Sequence, residues 1–136
     1  MLLHEFLSES AARDPDHVAI IVGDRRLTYA EVEAQSSALA GCLVGSGLKR
    51  GDRVGVFLDN RPETVVAFFA VLKAGGAFLP INPTTRARKL CHLLSHSGSR
   101  FVVTDRRRAN LVKQSAAELP ELHGVIGVGG TPELPE

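Results

Sequence analysis

The sequence predicts an α/β fold, namely a parallel sheet with flanking helices and an N-terminal β-hairpin. Short apolar runs alternate with helical patterns along most of the chain, which is typical of a parallel sheet with right-handed crossovers. A Gly-Asp pair separates two strand-like runs near the start. The length of 136 residues suits one domain with a buried core.

The hairpin is predicted where "VAIIV" and "RRLT" flank Gly23 and Asp24. Both residue types accept the positive φ angles that a two-residue hairpin loop requires. The hairpin is expected to end at Thr28, where a helical pattern begins.

The first predicted helix covers residues 29–46. Thr28 and Glu31 have the spacing of a capping box, in which each side chain accepts a backbone N–H at the helix start. Gly47 is expected to stop the helix. Its inward-facing side chains are predicted to be Val32, Leu39 and Leu43.

The rest of the chain alternates strands and helices. Strands are predicted at residues 53–58, 77–81, 101–104 and 125–128, and helices at residues 60–74, 86–97 and 106–117. Inward faces are expected at Val65, Phe69 and Leu72 of the second helix and at Ala87, Leu90 and Leu94 of the third. Residues 1–128 should form one unit, and residues 129–136, which lose apolar periodicity, a loop or frayed tail.

Composition argues against several function classes. The chain has 16 Lys and Arg against 15 Asp and Glu, so a nucleic-acid partner is not favoured. No apolar run approaches the length that a bilayer requires, and the start lacks a secretory signal. A cytoplasmic location without a membrane partner is therefore expected. Cys42 and Cys91 lie in apolar helical patterns and are expected to be buried, reduced thiols.

The stretch "VLKAGGAFLPINPTTRARKL" combines a helix end, a strand and a turn. Gly75 and Gly76 are expected to stop the helix, and Asn82 and Pro83 to turn the chain at the carboxyl end of the strand. Ligands of open α/β sheets bind at that end. The sequence therefore predicts a ligand site beside this turn.

Basic residues concentrate at two predicted helix starts, each after a strand. One cluster is Arg86, Arg88 and Lys89, and the other is Arg106, Arg107 and Arg108. Solvated helix surface is the ordinary interpretation. A phosphate contact is the alternative, because arginine holds phosphate with two parallel hydrogen bonds and consecutive arginines at a helix N-terminus repel one another.

Other motifs carry less information. His92 and His96 form an i, i+4 pair, but no third metal ligand is indicated, and no metal site is predicted. The run "GVIGVGG" at residues 124–130 lacks the spacing of a phosphate loop. No catalytic acid–base pair or nucleophile is predicted either.

Two stretches, "LTYAEVE" at residues 27–33 and "LKAGGAFLPINP" at residues 72–83, closely resemble the N-terminal part of the AMP-forming adenylating enzymes. These comprise acyl-CoA synthetases, adenylation domains of peptide synthetases, and luciferases. The resemblance runs from about residue 4 to residue 128, which would make residues 1–128 the N-terminal subdomain of a larger adenylate-forming enzyme. It implies an ATP- and Mg²⁺-dependent activation of a carboxylic acid, followed by transfer to a thiol, typically that of coenzyme A (CoA).

The resemblance is greater to acyl-CoA synthetases, because peptide-synthetase domains more often have Asp at the position of Asn82 and a Tyr-Pro soon after. An adenylation domain is the alternative. In the family the phosphate loop, nucleotide contacts, magnesium ligand and catalytic lysine lie beyond this region, so no catalytic residue carries over to this chain. We expect a piece of a longer ligase that binds no cofactor alone, or else a stand-alone non-catalytic module that completes a partner chain. The resemblance also suggests that the arginines contact CoA phosphates, and the candidates are Arg86, Arg88, Arg106, Arg107 and Arg108.

Overall fold

The computed structural model describes residues 1–128, and the predicted tail at residues 129–136 lies outside the described residues. The helices are α1 Leu3–Arg13, α2 Tyr29–Gly45, α3 Pro62–Lys73, α4 Ala87–Ser97 and α5 Arg106–Ala116. The strands are β1 Val18–Val22, β2 Arg25–Thr28, β3 Arg53–Phe57, β4 Ala77–Ile81, β5 Phe101–Thr104 and β6 Gly124–Gly127. In the part described, none of the helices is long and apolar enough to cross a membrane.

The main sheet has the strand order β4-β3-β5-β6, and all neighbouring strands are parallel. The central strand β3 pairs on both sides, so that Gly55 lies opposite Leu79 of β4 and Val102 of β5. The predicted parallel α/β fold is confirmed, with each strand boundary within one residue of its predicted position.

The N-terminal hairpin pairs β1 and β2 antiparallel and turns at Gly23 and Asp24, as predicted. Gly23 has a φ of 59°, which glycine adopts without a steric penalty. The predicted capping box of α2 is confirmed: the Glu31 N–H donates to Thr28 Oγ1 at 3.2 Å, and the Thr28 N–H donates to Glu31 Oε2 at 2.7 Å. The hairpin therefore leads directly into α2.

The sheet separates two apolar layers because successive strand residues point to opposite faces. One layer packs against α2 and α3 and includes Leu43, Val54, Val56, Val71 and Val103. The other packs against α4 and α5 and includes Phe57, Leu90, Leu94, Val102 and Val112. At Gly55 a Cβ would lie 3.0 Å from Ile81 Cδ1 and 3.1 Å from Leu94 Cδ2, so glycine allows β3 and α4 to approach closely.

The helix α1 was not predicted. It packs with the hairpin against α2 and α3 through a third apolar cluster, which consists of Leu7, Leu27, Val32 and Val66. Acidic and polar residues interrupt every apolar run of α1, and Leu7 is the only one of its residues that is fully buried. Its helical pattern is therefore weak in the sequence.

Three predictions about burial were wrong. The most buried apolar face of α3 is Val66, Ala67, Ala70 and Val71, whereas Val65, Phe69 and Leu72 are only partly buried. The reason is that α3 packs against α2 as well as against the sheet. Ala87, at the first position of α4, is exposed. Cys42 is also exposed, while Cys91 is partly buried.

Candidate functional site

A groove of about 710 Å³ lies at the carboxyl ends of β3 and β4. Its apolar lining includes Val65, Phe68 and Phe78, and its polar lining comprises Asp59, Asn60, Thr64 and Asn82. The two phenyl rings of Phe68 and Phe78 meet edge to face, with centroids 4.3 Å apart. This edge groove occupies the position where parallel α/β sheets bind ligands.

The turn after β4 is shaped by Asn82, as the sequence predicts. Its side-chain oxygen Oδ1 accepts the Thr84 N–H at 2.9 Å and the Thr84 hydroxyl at 2.7 Å. The Thr85 N–H donates to the Asn82 carbonyl at 2.9 Å. The Asn82 side chain is therefore used to hold the turn, a common function of asparagine in loops.

The two glycines before β4 serve different purposes. Gly75 ends α3 with a φ of 83°. At Gly76 a Cβ would lie 3.0 Å from the backbone oxygen of Asp52, so any other residue would force the neighbouring loop to shift. The predicted helix stop is confirmed, and it places β4 in register beside β3.

Arg108 joins three strand ends at the edge groove. Its Nη2 donates to Asp59 Oδ1 at 2.6 Å, and its Nε donates to the Pro83 carbonyl at 3.2 Å. Its Nη1 donates to Asp105 Oδ2, and its guanidinium also lies over the Phe57 ring. We call Asp59, Pro83, Asp105 and Arg108 the Arg108 cluster. The Arg108 side chain is 8% exposed, so this cation is largely removed from water.

Asp105 explains why the third arginine of "DRRR" folds inward. It caps the N-terminus of α5, where its Oδ1 accepts the Arg108 N–H at 2.9 Å. Its other oxygen faces the Arg108 guanidinium one helical turn later. The preceding Thr104 donates its hydroxyl to the Phe57 carbonyl at 2.7 Å, which fixes the end of β5 against β3.

A second ion-pair group centres on Glu63 in the first turn of α3. Arg25 of the hairpin donates to both carboxylate oxygens of Glu63, at 2.5 and 2.9 Å, and Arg61 Nε donates at 3.3 Å. Burial raises the pKa of Glu63, but the hydrogen bonds from Arg25, from its own backbone N–H and from Arg61, together with the Arg61 charge, lower it by more, so it lies below its ordinary value. Arg61 Nη1 also lies 3.8 Å from Asp105 Oδ2, which links the two groups.

The structure separates the predicted arginines into two kinds. Arg86, Arg88, Arg106 and Arg107 are exposed, and Arg107 Nη2 lies only 3.9 Å from Asp59 Oδ2. Arg108 is buried, with its guanidinium occupied by acceptors of the chain itself. The expectation that both clusters are exposed helix surface is therefore wrong for Arg108.

The groove between α4 and α5 contains the partly buried Cys91. Its thiol lies 3.4 Å from Glu118 Oε2, and desolvation together with this carboxylate raises its pKa. The rings of His92 and His96 stack with centroids 5.8 Å apart. Among residues 1–128, no group of three or more His, Cys, Asp or Glu side chains is placed to hold a metal ion.

Sequence reasoning missed the acidic partners in this region. Asp59 follows β3 and Asp105 follows β5, so each acid lies near the end of a strand of the same sheet. Because parallel strand ends meet at one edge, this common placement was the available signal. Glu63 had no comparable signal, since its main partner, Arg25, lies in the separate hairpin.

Comparison with known proteins gives one family and two kinds of relatives. The family model described as AMP-binding enzyme matches residues 7–134. Phosphinothricin tripeptide synthetase PhsC of Streptomyces viridochromogenes is 43% identical over 107 residues, which are 79% of this chain and 10% of that protein. Tyrocidine synthase 2 of Brevibacillus parabrevis is 40% identical over 75% of this chain and 3% of that protein.

Solved structures share the fold. A Mycobacterium tuberculosis fatty acyl CoA synthetase superposes with a TM-score of 0.84 at 27% identity, covering 93% of this chain and 26% of that one. The chain thus spans a tenth or less of the two peptide synthetases and about a quarter of the solved synthetase.

Proposed function

Because the chain belongs to the AMP-binding enzyme family, we propose that it forms the N-terminal portion of an ATP-dependent carboxylate-activating ligase. The complete enzyme would join a carboxylic acid to AMP and then transfer the acyl group to a thiol. The observation that carries the proposal is the position of residues 72–83. They form the end of α3, β4 and the following turn, and five of them, in β4 and the turn, line the edge groove.

The chain itself would supply a scaffold and one side of the site. The carboxylates at the sheet edge, Asp59, Glu63 and Asp105, each accept hydrogen bonds from an arginine. They do not form a set of free oxygen ligands such as Mg²⁺ requires. We therefore assign magnesium binding and the catalytic groups to the remainder of the enzyme.

The identity of the thiol that accepts the acyl group distinguishes two kinds of ligase. CoA is supported by Asn82 in "PINP" and by the similarity to the fatty acyl CoA synthetase. A carrier-protein thiol is supported by the higher identity to PhsC. We propose an acyl-CoA synthetase as the first candidate and a peptide-synthetase adenylation domain as the second, since each rests on its own observation.

Four exposed arginines fit a contact with CoA phosphates, namely Arg86, Arg88, Arg106 and Arg107. They lie at or next to helix starts that follow the carboxyl ends of β4 and β5, where backbone N–H groups and the helix dipole also favour anions. Arg108 is left out of this set because its donors are already bound to the chain.

The test is carboxylate-dependent exchange of pyrophosphate into ATP, measured with a panel of carboxylic acids. A ligase that has this chain as its N-terminal portion should catalyse the exchange, whereas the 136-residue chain alone should not. No exchange by the longer enzyme with any acid would contradict the ligase assignment and favour a non-catalytic module. Exchange by the chain alone would show that catalytic groups lie within it.

The acceptor is then identified with the acid that supports exchange. Thioester formation is measured in parallel with free CoA and with a carrier protein that bears a phosphopantetheine thiol. Product with CoA alone supports the first candidate, and product with the carrier alone supports the second.

A further inference from the structure

We propose that Arg108 is a positioning residue that holds the two sides of the edge groove, the ends of β3 and β4, at a fixed separation. The positioning concerns this chain alone, and its effect on a carboxylic acid substrate rests on the proposed function. The sequence predicted either solvated surface or a phosphate contact for Arg108, whereas its side chain contacts acceptors within the chain.

The guanidinium contacts both sides of the groove at once. Asp59 follows β3 and Pro83 follows β4, and both residues line the edge groove. Arg108 Nη2 donates to the Asp59 carboxylate at 2.6 Å, and Nε donates to the Pro83 carbonyl at 3.2 Å. A planar guanidinium has its donors in a fixed arrangement, so these two bonds define the relative position of the two acceptors.

The third contact anchors the arginine itself. Asp105 binds the Arg108 side chain through Oδ2 and the Arg108 N–H through Oδ1. Arg108 therefore has both its backbone and its guanidinium fixed to the end of β5. The Asp105 side chain is 11% exposed, so water competes little for this anchor.

The pairing of β3 with β4 does not extend to the open end of the groove. Paired positions of β3 and β4 end at Phe57 and Ile81, before the residues that line the open end of the groove. Asp59 is tied to α3 by the Thr64 hydroxyl, and Asn82 is tied to its own turn. Within residues 1–128, Arg108 provides the hydrogen bonds that connect Asp59 with Pro83.

An arginine is required for this arrangement. The lysine ammonium keeps the charge but lacks the planar set of donors, and its stem cannot reach three separated acceptors in one plane. Arg108→Lys therefore keeps the positive charge beside Asp59 and Asp105 but removes the planar arrangement of hydrogen-bond donors. This substitution distinguishes positioning from charge neutralisation.

The experiment is amide hydrogen exchange by NMR on the 136-residue chain and its variants. Two reporters are the Thr64 N–H, which donates to the Arg61 carbonyl, and the Thr85 N–H, which donates to the Asn82 carbonyl. The reference is the Glu31 N–H in the capping box of α2. The matched control is Lys113→Met, which removes an exposed cation from the same helix.

In Arg108→Lys we expect exchange at both reporters to become about tenfold faster relative to Glu31, since a charged hydrogen bond on each side of the groove is lost. Lys113→Met should leave the ratios unchanged. Unchanged ratios in a folded Arg108→Lys, or equal acceleration at all three amides, would overturn the proposal, because a purely stabilising residue would act on the whole chain.

A second variant keeps the proposal testable if Arg108→Lys does not fold. Asp59→Asn removes the charge on one side of the groove and leaves Asp105 to pair with Arg108. Exchange at Thr64 should then increase while exchange at Thr85 does not, and an unchanged Thr64 amide would overturn the proposal.

The consequence for catalysis is measured separately. In the ligase, Arg108→Lys should raise the KM for the carboxylic acid by a larger factor than it lowers kcat, because the groove loses its shape while the reacting groups lie elsewhere. A lower kcat with unchanged KM would contradict an effect on substrate fit. A parent ligase that does not catalyse pyrophosphate exchange would count against the proposed function. The amide hydrogen exchange measured on the 136-residue chain would still decide whether Arg108 positions the groove.

Discussion

The two arginine-rich helix starts, at α4 and α5, have similar sequences and equivalent places in the fold. They differ in whether their arginines are exposed or buried. Each follows the carboxyl end of a parallel strand. At α4, Arg86 occupies the N-cap without a side-chain hydrogen bond, and no acidic residue lies in the first turn. At α5, Asp105 caps the helix and Arg108 folds back onto it.

The difference shows that neighbouring carboxylates determine whether an arginine at a helix start is buried or exposed. Arg108 is buried because Asp105 and Asp59 supply carboxylates at the positions that its guanidinium reaches. A buried cation without such partners would be strongly destabilising. The start of α5 is thus part of the folded framework, whereas the α4 arginines remain available to solvent or to a ligand.

The largest expected difference in stability is between two variants that each lose one cation, one at the start of α5 and one at the start of α4. Arg108→Met removes the nearest cation from the buried Asp105 and leaves only the more distant Arg61, so the free energy of unfolding should fall by about 3–5 kcal/mol. Arg88→Met removes an exposed cation, and a change within about 0.5 kcal/mol is expected. Urea denaturation of the two variants measures both values. Equal losses would remove the distinction between the two starts.

The next effect separates the two functions of Asp105. Asp105→Asn and Asp105→Ala both lose the charge that pairs with Arg108, but asparagine keeps an oxygen for the Arg108 N–H. Asp105→Ala should therefore be less stable than Asp105→Asn by about 1 kcal/mol, the usual contribution of an N-cap. Thermal or urea unfolding measures the difference. If the two variants were equally stable, the cap would contribute nothing here.

A smaller effect is expected from Glu63, because its partner Arg25 is 53% exposed and water screens the pair. The folded pKa of Glu63 lies below the ordinary value of 4.5. Its contribution to stability is therefore complete above pH 4.5 and is lost as the pH falls through the lower, folded pKa. The free energy of unfolding, measured by urea denaturation at a series of pH values, should fall less steeply below pH 4.5 in Glu63→Gln. An identical slope in both proteins would contradict this assignment.

The smallest effect belongs to the exposed start of α4. If the proposed ligase uses CoA as its acceptor, the double substitution Arg86→Ala and Arg88→Ala should raise the KM for CoA about two- to fivefold, because each exposed contact contributes about 1 kcal/mol or less. Pyrophosphate exchange should be unaffected. Lys113→Met serves as the control for a lost surface charge. A KM equal to that of the parent enzyme would exclude these arginines as CoA contacts.

Local sequence signals predicted most of the fold. The strand and helix order follows from alternating patterns, and the turn at Asn82 follows from side-chain chemistry within four residues. The contact of Arg108 with Asp59 was not predictable in this way, because Asp59 belongs to a different strand end. Likewise, the buried face of α3 depends on α2, a neighbour that periodicity does not reveal. These two features depend on contacts between segments that are distant in the sequence, which local patterns do not reveal.

The central position of β3 also has a consequence for how the chain folds. Val54 lies opposite Phe78 on one side and Phe101 on the other, so β3 cannot complete its pairing until β5 has been synthesised and has docked. Until then the unit of β3, α3 and β4 has an open, apolar strand edge, which is a site for aggregation. Because such non-local parallel pairing is slow, we expect the docking of β5 to limit the folding rate, and substitutions at Val102 or Val103 to slow folding more than equivalent substitutions in β6.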